Sequence, residues 1–264
     1  MNFPGSIFQK MKIDQFEDYI TEDLAWRKHE ISQLFMILNE SEAKDVVMRS
    51  IILLLYAHWE GFIKKSSKCY LKYVSESKTK IKDLTVNFKA ITLKSYAMNC
   101  INSEAHTLSQ EIAFMQKQNK MEEKRFMVQI DLDNELEKEI INTKDNLNSK
   151  VLKNICDIIG IKYNSAIQTR SHYIDSQLLN KRNAIGHGNR EKRDDEEEFS
   201  FEKLVELKDF IITMFDYYTH ILFDFVENKY YLCVNETQRI QYEADREEDL
   251  HNKLEEISGK RERM

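Results

Sequence analysis

Arg182-Asn183-Ala184-Ile185-Gly186-His187-Gly188-Asn189 joins a forked cation, an amide and an imidazole, and spends two of the chain's six glycines around the histidine. Cleavage of RNA by transesterification calls for such groups. A base takes the proton of the ribose 2′-hydroxyl, that oxygen attacks the adjacent phosphorus, and an acid protonates the leaving 5′ oxygen. Imidazole titrates near neutrality and suits acid or base duty without a metal. Arginine stays charged and forks onto two phosphoryl oxygens as charge builds there. One preorganised donor of that kind typically supplies ~3–4 kcal/mol of transition-state stabilisation.

The spacing needs help from the backbone. Five residues of ideal helix turn through ~500°, which leaves Arg182 and His187 ~140° apart. Gly186 and Gly188 can end or bend the helix and let His187 swing toward the side that Arg182 reaches. The bare R-x4-H spacing carries little weight: seven histidines in 264 residues, combined with the arginines, supply roughly 0.3 chance matches per chain. A second copy exists, Arg246 to His251. Its Glu247, Glu248 and Asp249 would repel a phosphate and no glycine reshapes the backbone, so that copy reads as coincidence.

Upstream, Glu60 and Lys64 form an i, i+4 pair in the favourable orientation. As a surface helix pair it is worth a few tenths of a kcal/mol. In a functional role, Lys64 would stand near the phosphate and Glu60 would hold the arginine or lysine in place. Tyr56, Trp59 and Phe62 read as core, and His58, His172 and His220 as packing or surface residues. The chain lacks the phosphate-loop, dinucleotide, H-E-x-x-H and G-x-S-x-G patterns, which weakens NTPase, dehydrogenase, zinc-protease and serine-hydrolase readings.

These residues need a helical frame, and composition predicts one. One proline and six glycines in 264 residues, with 32% charged residues, leave too few turn formers for a strand-rich fold. A net charge of -6 excludes a bulk basic coat for nucleic acid, so any contact with RNA is local. Cys69, Cys100, Cys156 and Cys233 are widely spaced, as expected of reduced thiols in a cytosolic protein without a zinc or disulfide frame. The N-terminus lacks a signal-peptide core, and the apolar run Ile51 to Ala57 is too short to cross a bilayer. The expectation is a soluble, cytoplasmic protein with no metal site and no cofactor.

Apolar spacing predicts an amphipathic helix from Ile13 to Leu38 and a central, nearly all-round apolar helix from Ala43 to Val74. Shorter helices are expected at Leu84 to Met98 and Leu108 to Arg125, with Phe126 to Ile130 extended. A helix from Asn148 stops at Gly160, and another runs from Ser171 through Ile174, Leu178 and Ile185 to the motif glycines. Ser200 caps a long apolar-faced helix that reaches Phe225, with Phe199 stapled on Leu204. The expected organisation is a single helical domain over 1–234, holding an insertion at 75–146, followed by a charged helical tail at 235–264. That tail would pack on a partner or fray.

Trp59-Glu60-Gly61-Phe62 on a buried helix, followed much later by Arg182-Asn183-Ala184-Ile185-Gly186-His187-Gly188, resembles the HEPN superfamily. The similarity is strongest to its bacterial MAE-type and RiboL-PSP-associated branch. It covers roughly Ala43 to Val226. The superfamily's mark is R-x(4–6)-H with a polar residue after the arginine, here Asn183. Many members carry E-x3-K upstream, here Glu60 and Lys64.

The resemblance implies an all-α bundle and a metal-independent endoribonuclease whose site forms where two copies meet in a homodimer. His187 would be the acid or base, and Arg182 would bind the scissile phosphate. Asn183 would orient the phosphate or the histidine, while Glu60 and Lys64 support the charge network. It also implies an RNA substrate, a role as a toxin or effector in toxin–antitoxin or anti-phage defence, and an antitoxin or other controlling partner. The alternative is a non-catalytic helical module that binds protein or RNA in a defence or regulatory complex.

Overall fold

Apolar residues cover almost the whole circumference of the segment around Ile51 to Trp59, so this helix must be enclosed by others. In the computed structural model, which describes residues 11–101, 107–134, 140–188 and 200–259, it is α2 (Lys44–Glu76) and it is the axis of the fold. Helix α1 (Ile13–Glu40) lies along one side of it. Helix α9 (Phe201–Glu227) lies along another and also touches α1. The α2–α9 seam is aromatic: Trp59 stacks on Phe215 with centroids 6.3 Å apart, and Phe62 meets the same ring at 4.6 Å. One polar bridge crosses it, between Ser67 Oγ and the Tyr218 hydroxyl at 2.7 Å. The described residues contain helices and two isolated bridges but no strand, so the chain is an all-α bundle.

Helix α2 has the length and hydropathy of a membrane span. Its buried residues are spent on α1, α9 and the motif helices, as in the core helix of a bundle. Ser41 is the C-cap of α1, and its Oγ accepts the amide of Ala43 at 3.1 Å. Ser200 caps α9 as expected, accepting from Lys203 N at 3.3 Å. The staple from Phe199 and the acidic loop before it lie outside the described residues.

The insertion is woven into the bundle. It holds a helical hairpin, α3 (Val86–Ile101) and α4 (Ser109–Met121), with Phe88 and Met121 buried. The chain then returns in extended form, as the sequence suggests for 126–130. Phe126 N donates to Thr79 O at 2.9 Å, and Val128 N to Ser75 Oγ at 3.0 Å, so the return runs beside the end of α2. It delivers Leu147, fully buried, to the middle of α2. Helix α5 (Ser149–Ile159) starts there on the Asn148 cap and stops at Gly160, whose φ of +77° only glycine adopts without strain.

The expected tail is helix α10 (Glu236–Gly259), and within this chain it packs on α9 and on the short helix α6 (Ser165–Thr169). Leu250 and Leu254 are buried there. Glu247 accepts the amide and hydroxyl of Ser165 at the start of α6 and the amine of Lys162 at 2.6 Å. A thin apolar stripe was therefore enough to seat the helix, because its carboxylates also satisfy backbone donors of α6.

Candidate active site

The motif stands on a helix with a widened middle. Helix α7 (Ser171–Tyr173) passes into a π-type turn at Ile174–Asn180 and continues as α8 (Lys181–Gly186). Such i→i+5 turns are rare and recur at functional sites. This one is anchored from within by buried Ile174, Leu178 and Leu179. It is anchored at its start by Asp175, whose carboxylate accepts from Ser149 N at 2.8 Å and Ser149 Oγ at 2.6 Å. The helix that presents Arg182 is thereby tied to the first turn of α5.

Arg182 turns inward onto α2. Its guanidinium carbon lies 4.7 Å from the centroid of the Tyr56 ring, and Nη1 donates to Asn183 Oδ1 at 2.8 Å. Tyr56 is buried, and its hydroxyl accepts the Leu147 amide at 2.7 Å. Burial pushes the phenol above its usual range; the Leu147 N–H opposes this, Glu60 adds to it, and Arg182 opposes it. The ring under Arg182 is therefore a neutral face at physiological pH, suited to holding a cation.

Glu60 and Lys64 occupy the next turns of α2, both half-buried. The Glu60 carboxylate adds to the rise in the pKa of the Tyr56 phenol. Its Oε1 is buried and has no hydrogen-bond partner among the described residues. Glu60 thus belongs to the Tyr56–Arg182 group, one step removed from the arginine.

His187 is exposed. The helix runs on through Gly186, His187 N donates to Asn183 O at 3.0 Å, and the left-handed turn comes only at Gly188, with φ of +74°. Helix α8 ends at Gly186 with His187 as its C-cap, and Gly188 makes the left-handed turn, as the two glycines allow. Arg182 lies against α2, and His187 is exposed to solvent. Within one chain the structure joins Arg182, Asn183, Tyr56 and Glu60, and leaves His187 beside them.

Most other residues weighed in the sequence are placed by the structure; the side chain of His172 lies outside what it describes. Trp59 and Phe62 are core. His58 is buried against Trp26 and 3.2 Å from Glu30, and burial lowers its pKa. His220 bonds Asp216 O within its own helix. Arg246, in the second R-x4-H copy, is held by Asp249 at 3.1 Å and Asp224 at 3.5 Å, so its charge is already answered. Tyr56 is core, as read, and its face is also the seat of Arg182, a second role for which its i, i+4 relation to Glu60 was the available signal.

Comparison with known families places the chain. The sequence profile of the MAE_28990-like HEPN family matches residues 16–231, from α1 to just beyond α9. No curated protein and no solved structure matches the chain. The profile spans the central helix, the insertion and the motif helix alike, and the chain therefore belongs to the HEPN superfamily, in its MAE_28990-like branch.

Proposed function

We propose that this chain is a metal-independent endoribonuclease of the HEPN type, acting as a toxin or effector in a bacterial toxin–antitoxin or anti-phage system. One observation carries the reading. Arg182 is held on a neutral aromatic face, with four of its five N–H groups free of hydrogen bonds to described residues, and an exposed His187 stands at the end of the same short helix. Arg182 binds the scissile phosphate, Asn183 orients the phosphate or the histidine, and His187 moves the proton. Glu60 and Lys64 set the local charge.

The outward side of His187 supports a homodimer in which each histidine serves the arginine of the other copy. An exposed stripe on α2, Val46, Ser50 and Ala57 with half-buried Leu53, offers a partly apolar contact for that second copy. An RNA substrate and an antitoxin-like partner go with a cytoplasmic location. A purely structural or binding module would favour a packed, dry His187, which is not the observed state.

Purified protein is expected to cut RNA in the presence of EDTA and to leave 2′,3′-cyclic phosphate ends. His187→Ala should abolish cutting while the circular dichroism spectrum and melting point stay unchanged. Undiminished cleavage by that variant would refute the assignment.

A further inference from the structure

We infer that Tyr56 is a positioning residue for Arg182: its ring face sets the plane of the guanidinium, and its hydroxyl links that platform to the returning end of the 75–146 insertion. The inference rests on the reading of Arg182 as the phosphate-binding group.

Arginine has many rotamers, and something outside α8 must choose one if its fork is to meet a phosphate in a fixed place. The bond to Asn183 does not do this, because both residues ride on the same helix. The Tyr56 face does, since it belongs to the central helix α2. Tyr56 is itself only 2% exposed, and its hydroxyl is held by the buried amide of Leu147.

Leu147 leads directly into Asn148 and Ser149, and Ser149 is the residue gripped by Asp175. The contacts therefore close a circuit. Tyr56 holds Leu147, Ser149 holds Asp175, the π-type turn carries the chain to Arg182, and Arg182 returns to the Tyr56 ring. The end of the insertion is the keystone of that circuit, which gives the segment a part in the site that its position in the sequence does not suggest.

The test compares Tyr56→Phe, which keeps the face and removes the hydroxyl, with Tyr56→Met, which fills the space without a ring. In the proton–nitrogen spectrum of the full chain, the Arg182 Nε–H signal should be shifted upfield by the ring in wild type and in Tyr56→Phe. In Tyr56→Met that shift should be lost. In RNA cleavage, Tyr56→Met should lose roughly 10²-fold in kcat with KM little changed, and Tyr56→Phe, which keeps the face but loses the link to Leu147, should lose a smaller part of it. In an Arg182→Ala background, Tyr56→Met should cost nothing more, as expected of residues acting through one another.

Full kcat in Tyr56→Met, a loss in Tyr56→Phe as large as in Tyr56→Met, or the same loss in the Arg182→Ala background would overturn the inference. If Tyr56→Met does not fold, the wild-type spectrum decides alone: an unshifted Arg182 signal overturns it and a shifted one supports it. If wild type cuts no RNA, the ribonuclease reading falls, while the spectrum still tells whether Tyr56 holds Arg182.

Discussion

The Arg27 guanidinium of α1 lies on the bare backbone of Gly61 in α2: a Cβ at position 61 would stand 2.9 Å from Arg27 Nη1. The side chain cannot easily give way. Its Nε donates to Asp23 at 2.7 Å, its Nη1 to His58 O at 3.3 Å, and Lys65 holds the other oxygen of Asp23 at 3.0 Å. Arg27 and Asp23 are both buried, so a displaced guanidinium would leave charge unpaired in the bundle. Gly61→Ala should therefore destabilise the fold by about 1–3 kcal/mol, the usual cost of overpacking. Urea unfolding of the two proteins measures it, and a midpoint unchanged by the substitution would show that Arg27 has room to move.

The two motif glycines should respond in opposite directions. Gly186 is helical and its missing Cβ would meet nothing within 4 Å, so Gly186→Ala should stabilise the chain by up to ~1 kcal/mol through helix propensity. Gly188 has φ of +74°, so Gly188→Ala should destabilise by about 1 kcal/mol or more. Thermal melts distinguish these signs directly. If Gly186→Ala is the more harmful of the two, the helix does not run through position 186 as described.

Glu247 predicts an acid dependence. The amine of Lys162 and the hydroxyl of Ser165 hold its carboxyl down at about 2, against an ordinary 4.5. A carboxyl with a lower pKa folded than unfolded adds stability above its unfolded value and loses it as pH falls toward the folded one. The stability from this grip should therefore be full above about pH 4.5 and decline toward pH 2. Glu247→Gln should be less stable than wild type at neutral pH, and the gap should shrink across that window. Unfolding free energies at a series of pH values test it; a gap that stays constant would mean that the charge of Glu247 is not what seats α10.

The coincident Arg246–His251 copy supplies a control for the site. His251→Ala should leave RNA cleavage at the wild-type rate while His187→Ala abolishes it. Arg246 is committed to Asp224 and Asp249, and His251 is exposed on α10, beyond the residues the family profile covers. A shared loss of cleavage would show that both copies act.

The helices were legible where burial is strongly one-sided. The stripe through Phe16, Ile20 and Ile31 gave α1, the unbroken apolar run gave α2, and Ser200 marked the start of α9. The all-α class followed from the shortage of glycine and proline. What stayed hidden depended on contacts between distant residues. Nothing local announces that Arg27 needs Gly61 or that Glu247 caps α6. The setting of His187 was not legible because a glycine permits a bend without requiring one: Gly186 is the last helical residue and Gly188 makes the turn. Tyr56 was assigned a single role because an aromatic in an apolar helix satisfies the core pattern, and its second role needed the arginine to be placed above it.

The widened turn at Ile174–Asn180 is a place where the chain can lose a residue without losing the register of the motif. An i→i+5 turn accommodates a residue more than an α-helical turn would. Deleting one residue there, with Asp175 still bound to Ser149, would let the segment relax to an α-helix whose tighter winding offsets the loss. The guanidinium would stay near the Tyr56 ring. The same loss in a regular helix turns everything beyond it by roughly 100°. A frame-preserving deletion would therefore be tolerated in this turn and disabling just after it, at Lys181, although neither stretch has a distinctive composition.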